Sequence, residues 1–178
     1  MAVGLQDFPS IPEIKGVKIG FAEAGIKKPN KKDVVVFELC EGAAVAGVFT
    51  QNAFCAAPVR LCQKHLASTD ARYLLINTGN ANAGTGKSGV ENALLTCDAL
   101  ARAVGVPIEA VLPFSTGVIG EPLPTDKIVS AIPTALSSLT GDNWRAAGVG
   151  IMTTDTLPKG SVRSFEVDGC CYTGAGIS

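Results

Sequence analysis

Long apolar runs are absent from this sequence, and none approaches the roughly 20 residues that a membrane span requires. Residues 1–10 also lack the basic start and apolar centre of a secretory signal peptide. The formal net charge is only −1, so there is no general electrostatic reason to expect nucleic acid or an anionic membrane as a partner. We therefore expect a soluble, cytoplasmic protein that binds neither nucleic acid nor a membrane.

Metal-binding patterns are equally scarce. The six cysteines show no paired C-x-x-C spacing, and the single histidine, His65, has only Cys62 nearby. A zinc site needs clustered ligands, so we predict no metal ion. We also predict that the cysteines are free and mostly buried, as is usual in a reducing compartment, and that His65 lies at the surface or caps a helix.

Apolar residues and glycine are what the sequence does contain. Hydrophobic residues make up 47% of the chain, which includes 20 glycines, and this composition favours small side chains packed in tight layers with many turns. The length suits one domain over residues 1–178 with a core of its own. Two valine-rich runs at 33–40 and 44–50 predict a buried β-hairpin. The lysines before them predict a solvated turn: Lys27, Lys28, Lys31 and Lys32.

A strand, a glycine-rich loop and a helix are predicted between residues 72 and 104, after a short helix at 56–66. The apolar run at 72–77 predicts the strand. Ser88 and Glu91 have capping-box spacing at the start of the long helix. Gly105, followed by a proline, ends the helical periodicity.

The glycine-rich loop supports one rival hypothesis, a phosphate-binding loop over residues 81–88. Ala81, Gly86, Lys87 and Ser88 satisfy a relaxed form of the nucleotide-binding pattern, with Ala81 in place of its first glycine. Backbone N–H groups there could cradle phosphates while Lys87 reached the terminal oxygens. However, no later apolar run ends in a good magnesium-binding aspartate, and a helix cap explains Ser88 without a ligand.

The segment at 112–121 is the strongest candidate for chemistry. Pro113 fixes one backbone angle, and Ser115, Thr116 and Gly117 follow where we predict a turn. Such a turn can direct backbone N–H groups and a hydroxyl at one point, as an enzyme does to hold the negative charge that develops on a carbonyl oxygen. An ordinary turn between a strand and a helix is the alternative.

The second half of the chain predicts a helix, a polar strand and a hairpin. Thr125 is a candidate N-cap, and Pro133 predicts a kink or two short helices. Trp144 is predicted to be a core anchor. The polar run at 153–156 predicts a strand with Thr153 and Asp155 on one face, followed by a hairpin whose turn is at 168–169.

Five segments, in the same order, resemble the α chain of the bifunctional ornithine acetyltransferase (glutamate N-acetyltransferase) of arginine biosynthesis. The resemblance covers nearly the whole chain. The segments are Ala-Gly-Val-Phe-Thr at 46–50, Ala-Ala-Pro-Val at 56–59, Asn-Thr-Gly-Asn-Ala-Asn-Ala at 77–83, Ser-Thr-Gly-Val-Ile-Gly-Glu at 115–121 and Met-Thr-Thr-Asp-Thr at 152–156.

This resemblance implies a fold and an activity. The implied fold is a mixed α/β, layered α-β-β-α sandwich like that of the N-terminal-nucleophile hydrolases, completed by a separate β chain that the precursor releases by cutting itself before a threonine. That threonine accepts acetyl from N-acetylornithine and passes it to glutamate in a ping-pong cycle, with its own amine as general base. No cofactor is implied, although some family members also accept acetyl-CoA as donor.

The resemblance also implies roles for particular residues. Thr116, through its hydroxyl, and Gly117, through its backbone N–H, match the oxyanion-hole pair of the family. Thr153 matches a threonine that contacts substrate, and Thr154, Asp155 and Thr156 rank below it. The family continues with a substrate-binding lysine and the cleavage site, whereas this sequence stops at Ser178. We therefore expect activity only in an αβ heterodimer, doubled to α2β2.

Two alternatives to the transferase remain open at this stage. A related fold carries self-cleaving aminopeptidases, so the assembled protein could be an aminopeptidase or amidohydrolase that turns over by water. A non-catalytic binding subunit that has kept only the scaffold is the other alternative, and the presence of Thr116 beside Gly117 argues against it.

Overall fold

The computed structural model describes residues 7–178, so the prediction made for residues 1–10 rests in part on residues outside this range. A four-stranded sheet with the order β1-β2-β3-β4 forms the centre. β1 to β3 are antiparallel neighbours, whereas β3 and β4 are parallel and are joined by the crossover helix α2. The strands are β1 (Val17–Ala22), β2 (Val34–Leu39), β3 (Tyr73–Asn80) and β4 (Val111–Val118).

Three helices supply the apolar core on one face of this sheet: α1 (Ala57–Leu66), α2 (Gly86–Val104) and α3 (Thr125–Ser137). Leu61, Leu100 and Ile128, one from each helix, join Val34 and Leu75 of the sheet in a single buried cluster. Burying a side chain of this size contributes about 1.5–3 kcal/mol, so the helices and the sheet stabilise one another. The predicted strand at 72–77 and both helices around it are confirmed.

The second face of the sheet packs against α4 (Trp144–Gly150). The Trp144 ring meets Phe37 edge to face, with 6.1 Å between the ring centroids. Ile19 and Val35 complete this smaller cluster. The prediction that Trp144 anchors the core is confirmed.

A two-stranded hairpin, β5 (Gly160–Val167) and β6 (Cys170–Ile177), ends the chain. Asp168 and Gly169 have φ of 50° and 75°, and a type I′ turn requires positive φ at both central positions. The predicted hairpin is confirmed, and most of its residues are exposed.

The buried hairpin predicted at 33–50 is wrong in its second half. Residues 34–39 form β2, but 44–50 form no strand and are mostly exposed. β2 already pairs on one edge with β3 and on the other with β1, which the sequence analysis did not predict. No edge of β2 is left for the second run, and Val48 consequently stands fully exposed at 101%.

His65 is not at the surface, contrary to prediction. It is 2% exposed, and its Nδ1 donates a hydrogen bond to the carbonyl oxygen of Val111 over 2.7 Å. The Cys62 thiol, one turn earlier on α1, donates to the carbonyl of Pro113. Both acceptors lie on the edge of β4 that no strand within residues 7–178 covers, so α1 protects this part of the edge with side chains.

Several local predictions also need correction. Helix α2 begins at Gly86 rather than at a Ser88 capping box, and the Ser88 hydroxyl donates to the Thr85 carbonyl. Thr125 is the first residue of α3 rather than its cap, and α3 runs through Pro133 without dividing. Pro133 lies on the exposed side, where water can satisfy the carbonyl that loses its partner.

The cysteines are free as predicted, but the prediction that most of them are buried is wrong. Cys62 and Cys97 are buried, whereas three others are exposed: Cys40, Cys170 and Cys171. Burial raises the pKa of the Cys62 thiol to about 11, so this thiol is protonated at neutral pH and a poor nucleophile. Within residues 7–178, no helix combines the length and apolarity of a membrane span.

Candidate active site

The carboxyl ends of the parallel strands β3 and β4 form the floor of the candidate site. In their register Thr78 stands beside Thr116, and Gly79 stands beside Gly117. The ladder is irregular at Asn80, which pairs with residues on both sides of Gly117. Ligands of α/β sheets commonly bind beyond the carboxyl ends of neighbouring parallel strands.

Gly117 is required here by the backbone of the neighbouring strand. Its φ is +136°, and a Cβ at this position would lie 2.4 Å from the Gly79 carbonyl carbon and 2.6 Å from the Asn80 nitrogen. Backbone atoms at such distances cannot move aside as a flexible side chain would. The close approach of β3 and β4 at this point therefore depends on glycine.

A cavity of about 600 Å³ opens above these strand ends. All three site residues expected from the sequence, Thr116, Gly117 and Thr153, line it. They come from β4 and from the loop after α4, so only the tertiary fold brings them together. Lys27, Lys28, Lys31, Asp33, Thr78 and Gly79 are among the other residues that line it.

Two predictions about the local backbone of this site are wrong. Ser115, Thr116 and Gly117 belong to strand β4, and the chain turns only after Val118. Thr153 lies in an exposed loop, not on a strand: α4 ends at Gly150, and the chain forms no strand again before Gly160. Alternation of side chains therefore does not decide which of its polar residues face the cavity.

Lys31 ties this loop to the rest of the site. Its ammonium group donates to the carbonyl oxygen of Met152, the residue before Thr153. Desolvation by partial burial is the main cause that lowers the pKa of Lys31, while nearby Asp33 acts in the opposite direction. The four lysines at 27–32 were predicted to form a solvated turn, but one of them, Lys31, holds the Met152 backbone in place. The charge pattern of the sequence does not predict this contact.

Asp33 and Lys27 hold the loop between β1 and β2 against the cavity. The buried carboxylate of Asp33 accepts the backbone N–H groups of Ala24 and Ile26, each over 2.6 Å. Lys27 and Glu121 form an ion pair at 3.1 Å between this loop and the one after β4. Because both charged groups are about half exposed, the pair contributes at most about 1 kcal/mol, and the Asp33 contacts carry more of the local order.

Buried asparagines fix the glycine-rich segment that follows β3. Asn77 donates to the Asn80 carbonyl, and its own side-chain oxygen accepts the Ser115 hydroxyl over 2.6 Å. Asn80 donates to the carbonyls of Glu121 and Pro122, which closes the turn after β4. These amides join the two strand ends and keep the spacing between Gly79 and Gly117.

The third asparagine explains why residues 81–88 do not form a phosphate cradle. The Asn82 side chain is fully buried inside the loop, donating to the Gly89 carbonyl over 2.8 Å and accepting the Thr85 hydroxyl over 2.9 Å. Lys87 is exposed and lies 3.7 Å from Glu91 on the same helix. The loop interior is therefore filled by protein, and the nucleotide hypothesis is not favoured.

We expect Asn82→Ala to lower the free energy of unfolding by about 1–3 kcal/mol, because it removes two buried hydrogen bonds. Asn82 also has φ of 46°, which alanine tolerates less well than asparagine. Denaturant unfolding of the assembled protein measures the change. Asn92→Ala, on the following helix α2 and outside this network, is the control. Equal stability of the two variants would contradict the structural role of Asn82.

A second cavity of about 490 Å³ adjoins the first along the open face of β3 and β4. Ile76, Phe114 and Ile151 give it apolar walls, and Thr116 lines both cavities. Phe114 is 42% exposed, and Val48, which also lines this cavity, is fully exposed. Exposed apolar surface of this kind is typical of an interaction site.

The fold defines the chain as a mixed α/β protein of the N-terminal-nucleophile type. A family model described as the ArgJ family matches residues 18–178, and the chain belongs to that family. Over its whole length it is 58% identical to the arginine biosynthesis bifunctional protein ArgJ of Pseudomonas syringae pv. tomato. It is 56% identical to the protein of the same name from Pseudomonas fluorescens. The chain spans only 44% of the length of each of these relatives.

Solved structures agree with this assignment. A crystal structure of the arginine biosynthesis bifunctional protein ArgJ from Bacillus halodurans superposes with a TM-score of 0.83 at 32% identity, covering 92% of this chain and 86% of that chain. A structure of ornithine acetyltransferase complexed with ornithine, from Mycobacterium tuberculosis, gives a TM-score of 0.82 at 30% identity over 92% of this chain and 88% of that one. The fold expected from the resemblance is thereby confirmed.

Proposed function

We propose that this chain is the α part of an acetyltransferase that moves acetyl from N2-acetylornithine to glutamate. The observation that carries the proposal is the convergence of Thr116, Gly117 and Thr153 on one cavity at the ends of β3 and β4. The relative described as ornithine acetyltransferase complexed with ornithine supports the choice of substrates. We propose no cofactor, and acetyl-CoA remains a candidate second donor.

The proposed chemistry is a two-step acyl transfer. The hydroxyl of an N-terminal threonine on the β chain attacks the acetyl carbonyl carbon, and the amine of that threonine takes the proton. The carbonyl oxygen becomes negative, then the C–N bond breaks and ornithine leaves with a proton on its amine. Glutamate attacks the resulting acetyl ester through its amine, and the threonine hydroxyl is regenerated.

Thr116 and Gly117 suit the task of holding that negative oxygen. The Val111 and Pro113 carbonyls point to the edge of β4 covered by α1. Successive residues of a strand direct their N–H and C=O groups to alternate edges, so Gly117 is expected to direct its N–H to the same edge as Val111 and Pro113. At Gly117 this edge is no longer covered by α1. The Thr116 hydroxyl then supplies a second donor from the cavity wall.

The loop at 152–155 is the proposed contact for the substrate. Thr153 offers a hydroxyl at the rim of the cavity, and Lys31 fixes the residue before it. Lys28 and Lys31 also give this rim positive charge, which suits the carboxylate that both amino-acid substrates carry.

We propose a β chain as the partner that completes the site, in an αβ heterodimer doubled to α2β2. The chain covers 44% of its curated relatives but 86% of the solved Bacillus halodurans chain, as expected when one precursor yields two chains. The exposed apolar groups around the open face of β3 and β4 support the same conclusion. Two of them are Val48 and Phe114.

Co-expression of this chain with the remainder of its precursor tests the function. We expect transfer of labelled acetyl from N-acetylornithine to glutamate, and no transfer by this chain alone. The self-cleaving hydrolase alternative predicts free acetate or peptide cleavage products with no dependence on glutamate. Release of acetate at the rate of substrate loss would reject the transferase in favour of that alternative.

A further inference from the structure

Thr78 is the one residue of the candidate site whose side chain is buried without a protein partner. It is 1% exposed and lines the same cavity as Thr116 and Gly117. Among the side chains that the structure describes, only Thr78 Oγ1 and Trp144 Nε1 are buried polar atoms lacking a hydrogen bond. A buried hydroxyl without a partner lowers stability, so a fold that keeps one invites an explanation.

The position of Thr78 in the sheet indicates which group its hydroxyl can contact. Thr78 and Thr116 are in register on neighbouring strands, so their side chains stand on the same face of the sheet. The Thr78 backbone is held by its N–H, which donates to the Asp33 carbonyl over 2.9 Å. Threonines opposite each other on neighbouring strands can hydrogen-bond through their hydroxyls, and each threonine side chain has only a few χ1 rotamers.

We propose that Thr78 is a positioning residue for acyl transfer, whose O–H donates to the Thr116 oxygen and thereby aims the Thr116 O–H at the acyl oxygen. A hydroxyl that accepts one hydrogen bond becomes a better donor in the next, particularly in a desolvated site. Without this bond the Thr116 hydrogen can rotate away from the developing charge. This inference rests on the proposed role of Thr116.

Two substitutions at Thr78 separate this role from a structural one. Thr78→Val keeps the shape and removes the hydroxyl, and we expect kcat for acetyl transfer to fall about tenfold while KM changes less than about twofold. In the structure the Thr78 hydroxyl has no hydrogen bond to lose, and the proposed bond to Thr116 belongs to the substrate-bound site, so the melting temperature without substrate should be unchanged or higher. Thr78→Ser keeps the hydroxyl and should retain kcat within about threefold.

Thr96→Val is the matched control. Thr96 is another buried threonine, 3% exposed, but its hydroxyl donates to the Ala93 carbonyl within α2. Removing that hydroxyl should leave kcat unchanged and should not raise the melting temperature. A parallel fall of kcat in Thr78→Val and Thr96→Val would overturn the positioning role.

A double-mutant cycle with Thr116→Ala completes the test in the assembled enzyme. If Thr78 acts through Thr116, adding Thr78→Val to Thr116→Ala lowers kcat no further than about twofold. Full additivity would overturn the inference, as would a normal kcat in Thr78→Val when Thr116→Ala is slow. If Thr116→Ala itself is as active as the parent, the proposed function of the site fails instead.

Discussion

Thr116→Ala in the assembled enzyme is expected to lower the turnover number of acetyl transfer by about a hundredfold or more. The variant removes one donor to the negative oxygen that exists only while acetyl is being transferred. Interactions made only in the transition state act on kcat, so kcat and kcat/KM should fall together. Steady-state kinetics with N-acetylornithine and glutamate measures both quantities.

The fold should tolerate this change. Thr116 is only half-buried at the cavity wall, and no hydrogen bond of its hydroxyl stabilises the structure described here. Thr116→Ser, which keeps the hydroxyl, and Thr134→Ala, an exposed position on α3, are the controls. Both should have near-parental turnover. A parental kcat in Thr116→Ala, with an unchanged melting temperature, would remove Thr116 from the oxyanion hole.

The sequence predicted the elements whose signals are local. β3 is a short apolar run bounded by turn residues, and the periodicity of α2 ends at Gly105, which has the expected left-handed φ of 72°. The Asp168 and Gly169 turn is likewise specified by two neighbouring residues. Such elements can be predicted because the residues that determine them lie inside or beside them.

The largest errors concern partners that are distant in the sequence. The valine-rich run at 44–50 has strand propensity, but β1 and β3 occupy both edges of β2. His65 is buried because β4, 46 residues later in the chain, offers it a carbonyl. A single histidine on a short helix carries no local sign of such a contact, and propensity cannot supply one.

In the site, too, contacts between distant segments could not be predicted from the sequence. Thr116, Gly117 and Thr153 came from resemblance, and their shared cavity follows from the pairing of β3 with β4 and from the Lys31 contact. Thr78 lies within one of the matching segments, yet nothing in the sequence separated it from its neighbours. Only its burial and its unpaired oxygen distinguish it.

Gly117→Ala is expected to damage both the fold and the activity, which distinguishes it from Thr116→Ala. The added methyl would lie 2.4 Å from the Gly79 carbonyl carbon, so β3 and β4 must separate where the cavity floor is formed. The left-handed φ of +136° adds strain for any residue with a Cβ. We expect the free energy of unfolding to fall by about 3 kcal/mol or more, near the upper end of single substitutions.

Turnover should fall beyond the loss seen in Thr116→Ala, because the displaced strand moves the Gly117 N–H and the Thr116 hydroxyl together. Denaturant unfolding and acetyl-transfer kinetics on the same preparation measure the two effects. Gly86→Ala is the matched control, since its φ is also positive, at +60°, but its added methyl meets no atom within 4 Å. That variant should lose only about 1–2 kcal/mol and keep its turnover. If Gly117→Ala and Gly86→Ala behave alike, the close approach of the two strands does not shape the site.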